Sequence, residues 1–358
     1  MKIGFDAKRY YHNRTGLGNY SRSIVQGLRD LHPECDYVLY DEGTFTRTFR
    51  LGAKAAHDGC QLFHGLSNEL PTDILRSGVR SLLTFHDAAY RTFPQMYHWI
   101  DRRLYDFKYG RSCHIANHIL AISESTKRDI IRFYDIPEVK ISVIYQPVAD
   151  LFYHPLAADE ADRLIAEAVA SGMLSAPLPS DFILNVGSIN SRKNLLGFVR
   201  ALELVPAEQR PMLLVVGDGH EYKRDVERYI QEHQLEKYVR IETRVSDNRV
   251  LQALYSRALL MAYPSYYEGF GLPVVEAALQ QCPILTSNVS SLPEAAGPGA
   301  LLCDPTDIES IHERLTELLD DTSLAQRLAS VAEDYARSHF DPHTLTEQLF
   351  DLYLAVSM

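Results

Sequence analysis

The stretch Leu260-Met261-Ala262-Tyr263-Pro264-Ser265-Tyr266-Tyr267-Glu268-Gly269-Phe270-Gly271-Leu272-Pro273-Val274-Val275-Glu276 passes from a short apolar run, through a glycine-bearing turn, into a helical pattern. The apolar run has the length of a buried strand, and Pro273 suits a first helical turn, where its missing N–H is not needed. Seven residues separate Glu268 from Glu276. With Glu268 in the loop and Glu276 in the first turns of the helix, one ligand spans both. The two carboxylates accept from hydroxyls while the glycine amides meet phosphate. Simple surface acids are the plainer reading, and the joining of acids to glycines at a strand-to-helix turn makes it the less economical one.

The same alternation extends in both directions. Downstream of a junction, strands are expected at 182–186, 212–216, 239–242, 260–263 and 284–286, with helices at 194–205, 222–233, 248–257 and 274–280 between them. Upstream, strands at 3–7, 36–40, 62–64, 81–85, 119–122 and 140–144 are spaced by helices at 19–31, 97–111 and 124–134. Short apolar strands separated by helices imply parallel sheets covered on both faces. Between the halves, Pro147, Pro155, Pro177 and Pro179 punctuate a stretch holding one Ala-rich helix at 159–170. The reading is two doubly wound, Rossmann-like α/β domains, 1–175 and 176–340, facing an interdomain cleft. Helices at 308–319 and 324–337 close the second domain, and a terminal helix within 341–358 crosses back to the first. Ligand sites are expected in the loops that follow strands.

At 358 residues the chain exceeds most single cores, and 46% hydrophobic with 23% charged residues is an ordinary globular composition. Collagen-like, low-complexity and disordered classes are excluded. The formal charge of −11 opposes non-specific attraction to nucleic acid or an anionic bilayer while permitting local basic patches. Five cysteines without a C-x-x-C pair suggest neither a disulfide framework nor a thiolate zinc site, and fit a reducing cytoplasm. No apolar run reaches a membrane-spanning length, and the opening Met1-Lys2-Ile3-Gly4-Phe5-Asp6 meets an acid before a signal peptide develops.

Three further loops carry candidate chemistry. Thr15-Gly16-Leu17-Gly18-Asn19-Tyr20 precedes a helix, so its amides can approach an anion; a tight structural turn explains it equally, and the dinucleotide fingerprint is absent even with Asp41 as its acid. His86-Asp87 follows a probable buried strand and faces the cleft, against the alternative of satisfied loop hydrogen bonds. His64 raises the same question more weakly, and no compact ligand set accompanies these histidines for a metal. In Ser188-Ile189-Asn190-Ser191-Arg192-Lys193-Asn194, two cations at a helix start oppose the dipole, which an anionic ligand reverses; solvated bases are the plainer reading. Asp218 with its flanking glycines supports the second domain as a turn, with a backbone bordering a nucleotide pocket as the alternative. Ser123 and Ser287 lack a nucleophile elbow, and no P-loop occurs.

Taken together, these segments resemble the family 4 retaining glycosyltransferases of the two-domain GT-B fold. The resemblance rests on 15–20, Phe85-His86-Asp87, Ser123-Glu124-Ser125, Val186-Gly187-Ser188 with Arg192-Lys193-Asn194, and the Glu-x7-Glu element joined to Gly-Phe-Gly. The run Thr286-Ser287-Asn288-Val289-Ser290-Ser291-Leu292-Pro293-Glu294 completes it. It implies a second domain that binds a sugar nucleotide and a first domain that supplies most of the acceptor site. By that resemblance Lys193, with Arg192, neutralises the donor diphosphate. Glu268 orients donor-sugar hydroxyls beside the Gly269, Phe270, Gly271 and Leu272 backbone, and Glu276 holds the ribose hydroxyls. Gly16 and Gly18 border phosphate or acceptor, and His86 contacts the transferred sugar, supported by Asp87. Many relatives carry an Arg directly after the glycine matching Gly187; this chain has Ser188, which leaves open whether Arg192 reaches phosphate.

The chemistry so implied is hexose transfer with retention, without a cofactor and, in the absence of an Asp-x-Asp element, without a metal. Thr15 to Tyr20 and Ser287 to Glu294 look most like bacterial mannosyltransferases of surface polysaccharide and lipopolysaccharide, which favours GDP-mannose as the nucleotide-sugar donor. A UDP-sugar donor, a non-catalytic sugar-nucleotide-binding protein and a sugar-nucleotide epimerase are the alternatives. The expected acceptor is an oligosaccharide or lipid-linked glycan, handled in the cytoplasm or at the cytoplasmic face of the inner membrane. Tyr90-Arg91-Thr92-Phe93, Tyr97-His98-Trp99 and Arg102-Arg103 form the candidate peripheral membrane contact, against the reading that the aromatics pack inside.

Overall fold

A computed structural model describes residues 1–13 and 16–358. Among them the chain divides into two compact units, Met1–Pro147 with Phe340–Met358, and Val148–His339.

The first unit is built on six parallel strands: β1 (Lys2–Asp6), β2 (Asp36–Tyr40), β3 (Leu62–Gly65), β4 (Arg80–Phe85), β5 (His118–Ala121) and β6 (Ile141–Val143). Their order across the sheet is β2-β1-β3-β4-β5-β6, with Ile3 opposite Tyr37 on one side and Leu62 on the other. The inner strands β1, β3, β4 and β5 bury their apolar residues on both faces, so no polar alternation marks a wet side, while those of the edge strands β2 and β6 are partly open. One face packs Leu83, Phe85 and Ile119 with Leu51, Ala55 and Ile130; the other packs Ile3, Leu62 and Leu82 under Ile24 and Leu28 of helix Gly16–Leu31.

The terminal helix Pro342–Ser357 completes that second face with Leu345, Leu349 and Tyr353. Asp341 caps its start by accepting from the Thr344 amide at 2.8 Å. It lies close on helix Gly16–Leu31: a Cβ on Gly27 would come within 2.7 Å of Thr346 Oγ1.

The second unit carries β7 (Phe182–Val186), β8 (Met212–Val216), β9 (Val239–Glu242), β10 (Leu260–Tyr263), β11 (Ile284–Ser287) and β12 (Ala300–Cys303), all parallel, in the order β12-β11-β10-β7-β8-β9. Strand order therefore reverses between β7 and β10, and the loops leaving those two strands diverge from a common crevice. The segment after Pro147 belongs to this unit through side-chain amides. Gln252 donates to the Leu151 and His154 carbonyls at 2.9 and 2.7 Å, and Gln280 to the Phe152 carbonyl at 2.6 Å. Helix Ala158–Ala170 then sets Ala161 and Leu164 against Ala253.

Both sheets agree with the two doubly wound sheets expected from the sequence. The sequence reading omits β12, a four-residue edge strand behind Gly297-Pro298-Gly299, and the short helices Thr44–Phe49 and Leu51–His57. Leu349 is fully buried, so Leu349→Ala should lower the stability of the first unit by about 2–5 kcal/mol, read as a lower urea midpoint with an unchanged slope.

Candidate functional site

Topology brings the sharpest sequence candidates of the second unit together at its strand-order reversal. After β7 the chain makes a single 3-10 turn, Ser191–Lys193, and leaves it through Asn194 at φ +54, whose amide side chain donates to the Pro305 carbonyl at 2.8 Å. After β10 the loop is tied to that turn by the Tyr266 amide on the Arg192 carbonyl, 2.8 Å. The two cations and the acid of the sequence reading meet here. Lys193 Nζ lies 2.9 Å from Glu268 Oε1, and Arg192 Nη1 lies 2.8 Å from Glu268 Oε2. The Arg192 guanidinium also donates to the Tyr267 carbonyl.

Hydroxyls hold the acid's loop in place. Ser291 Oγ spans the Glu268 and Phe270 carbonyls at 2.8 and 2.7 Å, the Glu268 amide donates to Ser290 Oγ at 3.0 Å, and Ser287 Oγ donates to the Ser265 carbonyl at 2.7 Å. These serines explain the 286–294 run of the sequence analysis as scaffold for the loop. Gly271 has φ +123, which excludes a side chain on backbone grounds, and it delivers the chain into helix Leu272–Leu279 with Pro273 in the first turn.

The two carboxylates have opposite electrostatic characters. Burial pushes the Glu268 carboxyl up, but Lys193 and then Arg192 outweigh it and hold the group down at about 2, so it is an anion at any physiological pH. Burial raises the Glu276 carboxyl to about 7, moderated by the Tyr255 hydroxyl that donates to its Oε2 at 3.1 Å. Glu276 therefore gains or loses a proton near neutrality, where a pair of ligand hydroxyls would favour the anion.

In the first unit, His86 lies at the end of β4 as expected, but the protein occupies both of its ring nitrogens. Nε2 meets the Leu66 carbonyl at 2.8 Å and must carry the proton; Nδ1 then accepts from Gln146 Nε2 at 2.9 Å. Tyr20 packs edge-on against the ring at 4.8 Å. Burial lowers the imidazole's proton affinity more than the Leu66 carbonyl and Asp87 raise it, so His86 is neutral. Asp87 Oδ1 accepts from the Ala89 amide at 3.0 Å and shapes the loop. His64 is a core histidine: it lies 2.7 Å from both Tyr353 Oη and Thr84 Oγ1, with burial holding it down at about 3.

Other expectations resolve locally. Ser123 is a helix cap, accepting from the Thr126 amide at 3.0 Å. A Cβ on Gly18 would sit 1.8 Å from the Asn13 carbonyl oxygen, so close backbone approach requires glycine there, whereas Gly16 faces open space among the described atoms. Thr15 lies outside the described residues. Asp41 pairs with exposed His12 at 2.9 Å. The aromatic-basic segment divides: Tyr90 is buried against Tyr97 and Tyr105, while Trp99 is 65% exposed. Among the described residues no cluster of His, Cys, Asp and Glu is arranged for a metal ion, and no helix is long and apolar enough to cross a membrane. The residue that sequence reasoning missed is Tyr263, whose phenol contacts Lys193; its place at the end of an otherwise aliphatic strand is the signal that marks it.

The family described as "Glycosyl transferases group 1" matches residues 171–335, and "Glycosyltransferase Family 4" matches residues 15–150. O-antigen chain mannosyltransferase B of Escherichia coli is 30% identical over 265 residues, 73% of this chain and 66% of the relative. A serotype-specific mannosyltransferase WbdA of Escherichia coli is 32% identical over 220 residues, 61% of this chain and 26% of the relative. The matched region thus spans just under two thirds of the first relative and about a quarter of the second. Sucrose-phosphate synthase from Thermosynechococcus elongatus has the same fold, with a TM-score of 0.78 over 99% of both chains at 19% identity.

Glu268→Gln leaves two largely buried cations without their anion and should cost about 3–5 kcal/mol at pH 7. Because the folded Glu268 carboxyl titrates at about 2, below its ordinary 4.5, the stability it confers is full above 4.5 and disappears as pH falls toward 2. Denaturant titrations from pH 7 to pH 2 should therefore show the gap between parent and variant closing; a pH-independent gap would show that the charge of Glu268 is not what matters.

Proposed function

The chain belongs to the group 1, family 4 glycosyltransferases, and from that premise we propose that it is a retaining hexosyltransferase moving mannose from GDP-mannose to a glycan or lipid-linked glycan in surface polysaccharide synthesis. The observation that carries the proposal is the pairing of Lys193 and Arg192 with one buried acid at the strand-order reversal of the second unit. That crevice offers two cations, the amides of Gly269 to Leu272 and a second acid one helical turn away, which is the chemistry of a nucleoside diphosphate with attached sugar. The choice of mannose is supported by the names of the Escherichia coli relatives.

In this reading the donor diphosphate takes up Lys193 and Arg192, Glu276 accepts from the ribose hydroxyls, and Glu268 accepts from sugar hydroxyls. As the anomeric carbon–oxygen bond breaks, its electron pair passes to the diphosphate, where preorganised cations and amides stabilise the growing charge. The acceptor hydroxyl attacks from the same face and its proton passes to a phosphate oxygen. Neutral His86, its N–H committed to the Leu66 carbonyl, is a fixed polar surface of the first unit and not a proton donor.

The acceptor's lipid is supported by an apolar surface on the first unit. Helix Trp99–Ile115 exposes Trp99, Ile100, Leu104 and Phe107, and helix Thr44–Phe49 exposes Phe45 and Phe49. Between them lies a cavity of about 200 Å³, walled by Phe49, Leu70, Leu104 and Phe107 with Lys108 and Arg111 at hand. Exposed apolar residues flanked by bases suit an anionic bilayer surface.

Calorimetry with GDP-mannose and UDP-glucose decides the donor: GDP-mannose should bind tighter, Lys193→Ala should weaken it by at least about tenfold, and affinity should rise as pH climbs through about 7, where Glu276 becomes the acceptor that ribose needs. A magnetic-resonance coupling constant in the isolated product should show retention. Equal binding by a folded Lys193→Ala protein, or an inverted product, would overturn the reading.

Trp99 is the chain's only tryptophan, so its emission reports the membrane contact directly. Phosphatidylglycerol vesicles should shift it to shorter wavelength, phosphatidylcholine vesicles should not, and Phe107→Glu should weaken the response by about tenfold. An unaltered spectrum with both vesicles would dismiss the contact.

A further inference from the structure

Tyr263 closes β10 and is almost wholly buried, held by pairing with Thr286 of β11 and by Thr286 Oγ1, which donates to its carbonyl at 2.9 Å. The Lys193 ammonium donates to its phenol oxygen, and its nitrogen stands 4.5 Å from the ring centroid. That same ammonium is the one paired with Glu268 Oε1 at 2.9 Å, so phenol and carboxylate share a cation. A phenol oxygen that accepts from an ammonium has its own O–H left to donate, and Glu268 Oε1, which shares that ammonium, is buried and accepts no hydrogen bond from any other described group.

We propose that Tyr263 is a positioning residue of the donor site: its hydroxyl holds Glu268 as a buried anion when a bound diphosphate draws Lys193 away from that carboxylate. The inference rests on the donor-site reading above and assigns a role to a residue which that reading leaves unused. Its physical basis is the cost of uncovering a buried charge. Glu268 stays ionised because two cations outweigh its burial. A diphosphate that takes those cations removes the compensation, and burial alone would then drive a proton onto the carboxylate unless another donor replaces them. Protonated, Glu268 has one oxygen fewer to accept from sugar hydroxyls.

Tyr263 meets the requirement. Its own proton is held far more tightly than an exposed phenol's, through burial and then through Glu268, so it donates a hydrogen bond without ionising. The other charged and titratable groups facing the pair are few. Arg192 lies on the β7 loop, Glu276 on helix Leu272–Leu279, and Tyr255 on helix Asn248–Arg257, where its hydroxyl is already committed to Glu276. Arg192 is itself a phosphate ligand in the donor reading, and Glu276 is an acid, so Tyr263 is the neutral donor beside Glu268 that a diphosphate has no reason to displace.

The test is proton counting. GDP, UDP and inorganic pyrophosphate are titrated calorimetrically into the parent and into Tyr263→Phe at pH 6 and pH 8, each in two buffers of different ionisation enthalpy. Comparing parent and variant at one pH cancels ionisation of the ligand and of Glu276. At pH 6 the variant should take up close to one more proton per diphosphate bound than the parent, with the excess fading by pH 8, and its affinity deficit should grow from slight at pH 6 to about tenfold at pH 8. A purely structural role predicts a deficit that is the same at both pH values with no extra proton, and that result, or unchanged affinity, overturns the proposal. The extra proton should vanish in Glu268→Gln combined with Tyr263→Phe; its persistence also overturns it. If Tyr263→Phe does not melt cooperatively, 3-fluorotyrosine placed at position 263 keeps the shape and strengthens the donor, and should tighten binding at pH 8. Failure of every diphosphate to bind the parent would overturn the donor-site reading and this role with it, whereas binding with an unchanged proton count removes Tyr263 alone.

Discussion

A carboxylate buried between two cations is the constraint from which the second unit's local design follows. Glu268, Arg192 and Lys193 could each be solvated separately at little cost, but removing all three from water is tolerable only if the geometry is held closely. That explains why the loops around them are so heavily fastened. Ser287, Ser290 and Ser291 engage successive backbone groups of the loop after β10, and the Arg192 carbonyl is itself a rung that loop hangs on. The sheet topology is the deeper cause: only where strand order reverses do two consecutive loop families part enough to admit such a cluster and still bury it.

The first unit buries polar groups in two ways. Two buried histidines are neutral, with His64 closed between Tyr353 and Thr84 and His86 between the Leu66 carbonyl and Gln146. Besides these rings it also buries charge, with Asp6 at the end of β1 paired to Arg47, whose guanidinium reaches Glu69 at 3.3 Å.

What was legible in the sequence follows from how local each cause is. Strands such as Phe182–Val186 and Leu260–Tyr263 are fully buried runs between turn residues, and nothing distant is needed to recognise them. Glu268, Lys193 and Arg192 were legible as candidates because each follows a strand, yet their mutual pairing depends on β7 and β10 being neighbours, which spacing along the chain does not reveal. His86 was placed on the right strand end, but its tautomer is dictated by Leu66 and by Gln146, 60 residues further on. Ser123, read from the sequence as lacking a nucleophile elbow, is a helix cap, a role its own sequence neighbours Glu124 and Thr126 already allow. β12 escaped because a four-residue edge strand partly open to solvent lacks the uniform burial that marks the others.

The pairing also bears on selectivity. Because Lys193 and Arg192 already have an anion, a ligand cannot win them merely by being negative. It must offer more charge or more acceptor oxygens than one carboxylate, and it must do so without leaving Glu268 exposed to its own burial cost. A single-charge anion such as chloride or acetate only exchanges one neutralised arrangement for another and pays for ordering besides. A diphosphate brings several oxygens and at least two charges, and an attached sugar gives Glu268 hydroxyls to accept from in exchange for the cations it yields. In the proposed donor reading the buried acid works as an internal competitor, setting a threshold that favours a polyanion carrying hydroxyl groups over the simple anions that would otherwise occupy two converging bases.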